Sequence, residues 1–310
     1  MVGRLFGVAI GVGILVAACS GDDGSARISG ETACNDAASS LCDKIGECAP
    51  FFLTVGFTDR AQCIARFKGT CTTSFSAPGT SATPDRYAQC ARDVKTAACA
   101  DILGRTYPEA CRPTAGTLAD GAPCGTNAQC KNKLCRVPLE ATCGACSSLG
   151  AAGADCERDD DCDWSLECVG KKCLAKGKEG FACSAGAPCS GTLACNAGVC
   201  AQPLGAGATC TFRQNENPCD GAKGSFCHPV TKVCTQIEAA KAGAACGLVG
   251  DAIVVCAAAG TCRVAAGFSG TCEAPAADGA ACDDTRGPTC LAPARCRNGV
   301  CTIADPAQCR

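Results

Sequence analysis

Aromatic residues make up only 4% of the sequence, with one Trp and two Tyr, and there is a single His and a single Met. Large aliphatics are scarce too. With Ala and Cys set aside, fewer than one residue in five is a large apolar one, below the roughly 20% of Val, Ile, Leu and Phe that ordinary globular chains carry. A chain of 310 residues would normally fill about two domains with apolar side chains, and this composition cannot. A basic excess is missing as well: 28 basic and 30 acidic residues leave a net charge of −2. Basic residues come only as scattered pairs such as Lys171-Lys172, so no phosphate-neutralising surface is expected and nucleic acid is excluded as a partner. No P-loop, dinucleotide fingerprint or G-x-S-x-G occurs. The lone His228, in FCHPVTKVC, has no identifiable acid–base relay. No catalytic residue and no cofactor is therefore expected.

What the sequence has in abundance is cysteine, 35 of them, with 37 Gly and 15 Pro. That density marks a disulfide scaffold made in an oxidising compartment. The expected fold class is small and disulfide-rich: an N-terminal disulfide-stapled α-helical domain, then a tandem array of cysteine-knot-like modules with little regular structure.

Residues 1–18 read as an export signal. Arg4 is followed by an apolar run from Leu5 to Ala18, about 14 residues and short of the roughly 20 that span a bilayer. The run ends in Val16-Ala17-Ala18-Cys19, which resembles the bacterial lipobox. The resemblance implies diacylglycerol on the Cys19 thiol, cleavage before Cys19 and acylation of the new amino group. Two or three acyl chains at about 0.8 kcal/mol per buried CH₂ make a stable bilayer anchor. Removing Cys19 to thioether chemistry leaves an even number of cysteines. Residues 19–31 then read as an acylated, flexible Gly/Ser/Asp tether spanning on the order of 20 Å. Ser20 after Cys19 points to the outer membrane or cell surface.

The next region, 32–113, holds Cys34, Cys42, Cys48, Cys63, Cys71, Cys90, Cys99 and Cys111. Cys34, Ala38, Leu41 and Ile45 form one helical stripe. Thr58 can cap a second helix with Ile64, Phe67 and Cys71 on one side, and Thr83-Pro84-Asp85 starts a third with Tyr87, Cys90 and Val94 as its stripe. Cysteines on the stripes are expected to staple helix to helix, in a pairing that sequence does not choose.

From Gly121 onward the sequence repeats. The tetrads GAPC, GADC, GFAC, GATC, GAAC and GAAC end at Cys124, Cys156, Cys183, Cys210, Cys246 and Cys282. They open units at 121–150, 153–173, 180–200, 207–234, 243–272 and 279–310. The second and third units share the spacing C-x5-C-x5-C-x4-C, through Cys156, Cys162, Cys168, Cys173 and Cys183, Cys189, Cys195, Cys200. The fourth and fifth, Cys210, Cys219, Cys227, Cys234 and Cys246, Cys256, Cys262, Cys272, carry longer inner loops. Leu166 and Leu193 stand two before the third cysteine, where each can cover a disulfide. Gly198 and Gly299 stand two before the fourth, where a tight turn needs positive φ. The first unit has five cysteines, Cys124, Cys130, Cys135, Cys143 and Cys146, and so does the sixth, Cys282, Cys290, Cys296, Cys301 and Cys309. If every thiol pairs, at least one bond must leave these odd units.

The run GADC-x5-C-x3-LxC-x4-C over Cys156–Cys173 and its neighbours resembles the Dickkopf N-terminal-type cysteine-rich modules, which also recur in bacterial secreted and lipid-anchored proteins. The resemblance covers 121–310 and implies a module fold; the signalling antagonism of the animal modules is not carried over.

Three further features have candidate chemistry. Cys143-Gly144-Ala145-Cys146 has redox-motif spacing without the βαβ context that chemistry needs, nor does it have the second half of a zinc site, and it reads as a structural pair of cysteines. Asp159, Asp160, Asp161 and Asp163 can offer oxygens to Ca²⁺, but no EF-hand spacing follows, and a solvated acidic turn is expected. Trp164 beside them reads as cover for a disulfide. Together these point to a non-enzymatic, membrane-anchored, surface-exposed structural or protein-interaction lipoprotein. Its helical part would sit near the bilayer, and its array would project as a stalk toward an extracellular partner. The alternatives are an extracellular enzyme or protease inhibitor on the same scaffold, or a thiol metal-binding protein, which would need reduced cysteines.

Overall fold

The computed structural model describes residues 28–138, 141–184, 189–211 and 217–310. The signal segment and Cys19 lie outside the described residues. Among these residues no helix is long and apolar enough to cross a membrane. Every described cysteine is half of a disulfide, seventeen bonds in all. The chain is thus a disulfide-rich scaffold of a kind made outside the cytoplasm.

Among the described residues all five α-helices lie between Gly30 and Leu103: α1 Gly30–Cys48, α2 Pro50–Gly56, α3 Arg60–Ser74, α4 Pro84–Thr96 and α5 Cys99–Leu103. α1 starts inside the stretch read as tether, because Ser29 accepts from Thr32 N and caps it. α4 starts at Pro84 under a Thr83 cap. The cap of α3 is Asp59 and not Thr58: the Asp59 carboxylate accepts from Gln62 N, and Gln62 returns its side-chain oxygen to Thr58 N. α2 was not foreseen; its PFFLTVG sequence is too short to show a period.

Small residues line the contact faces, so packing alone holds these helices weakly and disulfides supply the rest. Cys34–Cys71 and Cys42–Cys63 are two rungs between antiparallel α1 and α3, Cys48–Cys99 ties α1 to α5, and Cys90–Cys111 ties α4 to the turn Glu109–Cys111. Loops of 21 to 51 residues closed in this way contribute about 3–4 kcal/mol each in the chain-entropy account. Phe57, Cys42 and Cys63 form the buried centre, with Leu53, Ile64, Phe67 and Leu291 around it.

Every unit of the array is built on one plan. Its third and fourth cysteines face each other across an antiparallel hairpin, as Cys168 and Cys173 do in Leu166–Val169 and Lys172–Ala175. They do not bond to each other. The third cysteine bonds the first and the fourth bonds the second: Cys156–Cys168 and Cys162–Cys173, Cys183–Cys195 and Cys189–Cys200, Cys210–Cys227 and Cys219–Cys234, Cys246–Cys262 and Cys256–Cys272, Cys282–Cys296 and Cys290–Cys301. The first unit keeps the plan with its fifth cysteine in the fourth's place, since Cys143 is an insertion: Cys135 faces Cys146, and the bonds are Cys124–Cys135 and Cys130–Cys146. The opening glycine has φ between +79° and +86° and donates its N–H to the carbonyl of the last hairpin cysteine, as Gly153 does to Cys173 at 2.8 Å. Gly198 and Gly299 have φ of +83° and +76°. Leu166 is buried among Cys156, Cys162 and Cys173, while Leu193 is half-buried. The fifth unit's surroundings add strands Glu238–Ala240, Ala245–Val249 and Ala252–Cys256 to its hairpin and make a five-stranded sheet, more regular structure than expected.

The array does not project as a stalk. It lies against the helices along its length. In the first unit Gln129 Nε2 donates to Pro78 O at 2.9 Å. In the second, Asp159 and Asp160 pair with Arg105. In the third, Gly191 packs so closely on α5 that a Cβ there would stand 2.9 Å from Ala100 O. Gly224 of the fourth lies over Phe51, and Ala258 N of the fifth donates to Thr54 O at 3.0 Å. In the sixth, Arg66 of α3 forks onto Asp278 and donates to Leu291 O and Ala292 O. Cys143–Cys309 then joins the first unit to the sixth and closes the wreath.

Candidate functional site

Closing the wreath leaves a cavity of about 520 Å³ between the helices and the joined units, within the range of small-ligand sites. Its floor is the small-residue face of α1 (Ala37, Ala38, Leu41) with Phe67 of α3 and Val94 of α4. Both tyrosines of the chain, Tyr87 and Tyr107, stand in its wall. Opposite are Gly125, Thr126 and Val137 of the first unit and Arg295, Arg297, Ile303 and Pro306 of the sixth; Arg158 and Asp160 enter from the second.

The sequence builds the charged wall by alternation. Arg295-Cys296-Arg297 is one strand of the sixth hairpin, and a period of two puts both guanidinium groups on one face while Cys296 bonds Cys282 on the other. Arg295 is exposed. Arg297 is 7% exposed, and its Nε and Nη1 are buried without a hydrogen-bond partner. Burial, and then the positive charge of Arg295, pull its pKa down, though a guanidinium keeps its charge in a protein. Asp160 on the same wall is held by Arg105. Burial raises the phenol pKa of Tyr87, opposed by a hydrogen bond with Ser74, and that of Tyr107. Both rings are therefore neutral hydrogen-bonding groups at ordinary pH.

None of the residues singled out for chemistry from sequence converges on this cavity except Asp160. The acidic turn is not simply solvated. Asp159 accepts from Cys168 N at 2.9 Å, Asp161 accepts from Glu157 N and Arg158 N and lies 3.3 Å from Arg136, and Asp163 accepts from Ser165. Its carboxylates are committed to the hairpin and to Arg105. Gln129 plays the part of Asp161 in the first unit, accepting from Gly125 N and Thr126 N; both precede the second cysteine and are almost fully buried. His228 is likewise a local brace: its Nδ1 accepts from Val230 N and Thr231 N at 3.2 Å, and its Nε2 is buried with no partner. Cys143 and Cys146 are both structural, but they are not a pair. Cys146 bonds Cys130, and Cys143 leaves for Cys309. Trp164 is half-buried. Interlaced bonds bring Sγ atoms together in threes, as with Cys124, Cys130 and Cys135 within 4.8 Å, yet these sulfurs are oxidised and offer no thiolate to a metal.

Sequence reasoning missed Arg297, Arg295 and the tyrosines. The R-C-R alternation beside a hairpin cysteine was the available signal for the arginines. For the tyrosines there was none beyond rarity. Comparison of the chain with protein-family models, curated proteins and solved structures gives no match.

Proposed function

We propose that the protein is a non-enzymatic binding protein of the bacterial envelope, exported and anchored to the outer membrane or cell surface by acyl groups on Cys19. In this reading 32–113 is one disulfide-stapled helical domain. The six units are modules related to the Dickkopf N-terminal type, wrapped around it to wall a binding site. The observation that carries the reading is the cavity itself. A rigid, oxidised frame encloses an apolar floor and a buried, unpartnered cation, and its one carboxylate, Asp160, is occupied by Arg105. Such a wall suits holding a ligand better than exchanging protons with one.

The test is the intact mass of protein isolated from its native membrane, with and without thiol alkylation before reduction. A chain beginning at Cys19, carrying acyl mass and taking up no alkylating agent, is expected. An unlipidated chain with many alkylated thiols would overturn both the anchor and the frame.

A further inference from the structure

Arg297 is the most anomalous side chain in the described residues. A guanidinium brings five donors, and leaving buried donors unpaired is costly, more so for a charged group. Nothing in the sixth unit's plan requires it. The matching position in the second hairpin, one after the third cysteine, is the half-buried Val169, and in the third it is Asn196. A second cation on the same strand face, Arg295, makes the position worse by its positive charge. Both arginines border a cavity whose floor is Ala, Leu, Phe and Val. A cation buried at a loss beside an apolar surface is the arrangement that an anion with an apolar body would complete, because a planar oxyanion accepts two parallel N–H bonds from a guanidinium.

Resting on the reading of this cavity as a binding site, we infer that its ligand is an amphipathic oxyanion. The carboxylate or other oxyanion head is held by Arg297 with Arg295 at the rim, and the apolar body lies over Ala38, Leu41 and Val94 of the helices. Tyr87 and Tyr107 supply neutral hydrogen-bonding groups at the wall.

The probe is decanoate, with 1-decanol as the same body without the charge and inorganic phosphate as an oxyanion without the body. Binding is measured by calorimetry on residues 20–310, which hold every described residue and all seventeen bonds, exported from a non-lipoprotein signal so that neither acyl groups nor the apolar run 5–18 is present. Decanoate is expected to bind at least tenfold more tightly than either control. Arg297→Met should weaken decanoate at least tenfold, Arg297→Lys should lose less, and decanol binding should not change. Arg297→Met should also raise the thermal midpoint, since it removes an unpaired buried charge; a merely structural arginine would lower it. If decanol matches decanoate and Arg297→Met changes neither, the oxyanion assignment is overturned while the binding-protein reading stands. If no amphiphile binds the folded, fully oxidised chain, both fall. Phosphate binding as tightly as decanoate would remove the apolar half of the inference.

Discussion

Arg66 is where the wreath's last unit is fastened to the helices. Its side chain is 15% exposed, and its guanidinium makes a forked pair with Asp278 and donates to the carbonyls of Ala292 at 3.0 Å and Leu291 at 2.6 Å. Replacing it with Ala removes all of these contacts and leaves the Leu291 carbonyl with the Ala294 N–H, 3.1 Å away, as its donor. A hydrogen bond to a charged group is worth about 1.5–3 kcal/mol net when shielded. Asp278 is 42% exposed, so its share is discounted for solvent screening, and the expected loss is about 2–4 kcal/mol. Arg66→Lys should recover little of it, because an ammonium cannot serve the fork and two carbonyls together. Leu291 still packs against the buried cluster of Cys42, Phe57 and Cys63, and Cys143–Cys309 still ties the unit, so the unit should loosen without leaving. The assay is urea denaturation with disulfides intact, combined with amide hydrogen exchange. Arg66→Ala should shift the midpoint down and speed exchange in 276–303, with little change in the second and third units. A midpoint unchanged to within about 0.5 kcal/mol, with exchange in 276–303 as in the parent, would mean that the array does not rest on α3.

Cys143→Ser with Cys309→Ser opens the wreath and leaves sixteen bonds. Closing 166 residues is worth at most about 5 kcal/mol in the chain-entropy account, so a lower thermal midpoint with intact unit hairpins is expected; an unchanged midpoint would deny the closure. Gly153→Ala puts a side chain at φ +83° where nothing lies within 4 Å, so the cost is backbone alone, about 1–2 kcal/mol. Gly205→Ala, also in open space but without positive φ, should be neutral or slightly stabilising; equal effects in urea melts would refute the assignment. Tyr87 and Tyr107 are held protonated above the usual pKa of about 10 by burial. Their folded pKa values are raised, so the stability they contribute is present below pH 10 and lost as pH rises beyond it. Absorbance titration of these two phenols should run above the value for free tyrosine, and two ordinary titrations would place both rings in solvent.

Some of this was legible because cysteine and glycine speak locally. A five-residue spacing and a glycine two before the fourth cysteine fix a hairpin turn wherever the unit lies, and Thr83-Pro84 fixes a helix start. Five cysteines in the first unit and five in the last left a bond to be made outside each, and Cys143–Cys309 satisfies both. Pairing within a unit was not legible, since four cysteines allow three pairings; the hairpin decides it by setting the third and fourth side by side and aiming both at the first and second. The wreath was hidden for a different reason. Two of its fastenings are single polar side chains, Arg66 and Arg105, that look like surface charges until partners 212 and 55 residues away are known. The cavity depends on that closure, so it could not be read before the closure was.

Peptide mapping of the oxidised protein under non-reducing conditions tests the closed wreath most directly. The structure predicts a cross-linked peptide joining Cys143 to Cys309, beside first-to-third and second-to-fourth bonds in the second to sixth units and Cys124–Cys135 and Cys130–Cys146 in the first. A Cys143–Cys146 bond, or Cys309 recovered as a free thiol, would contradict it.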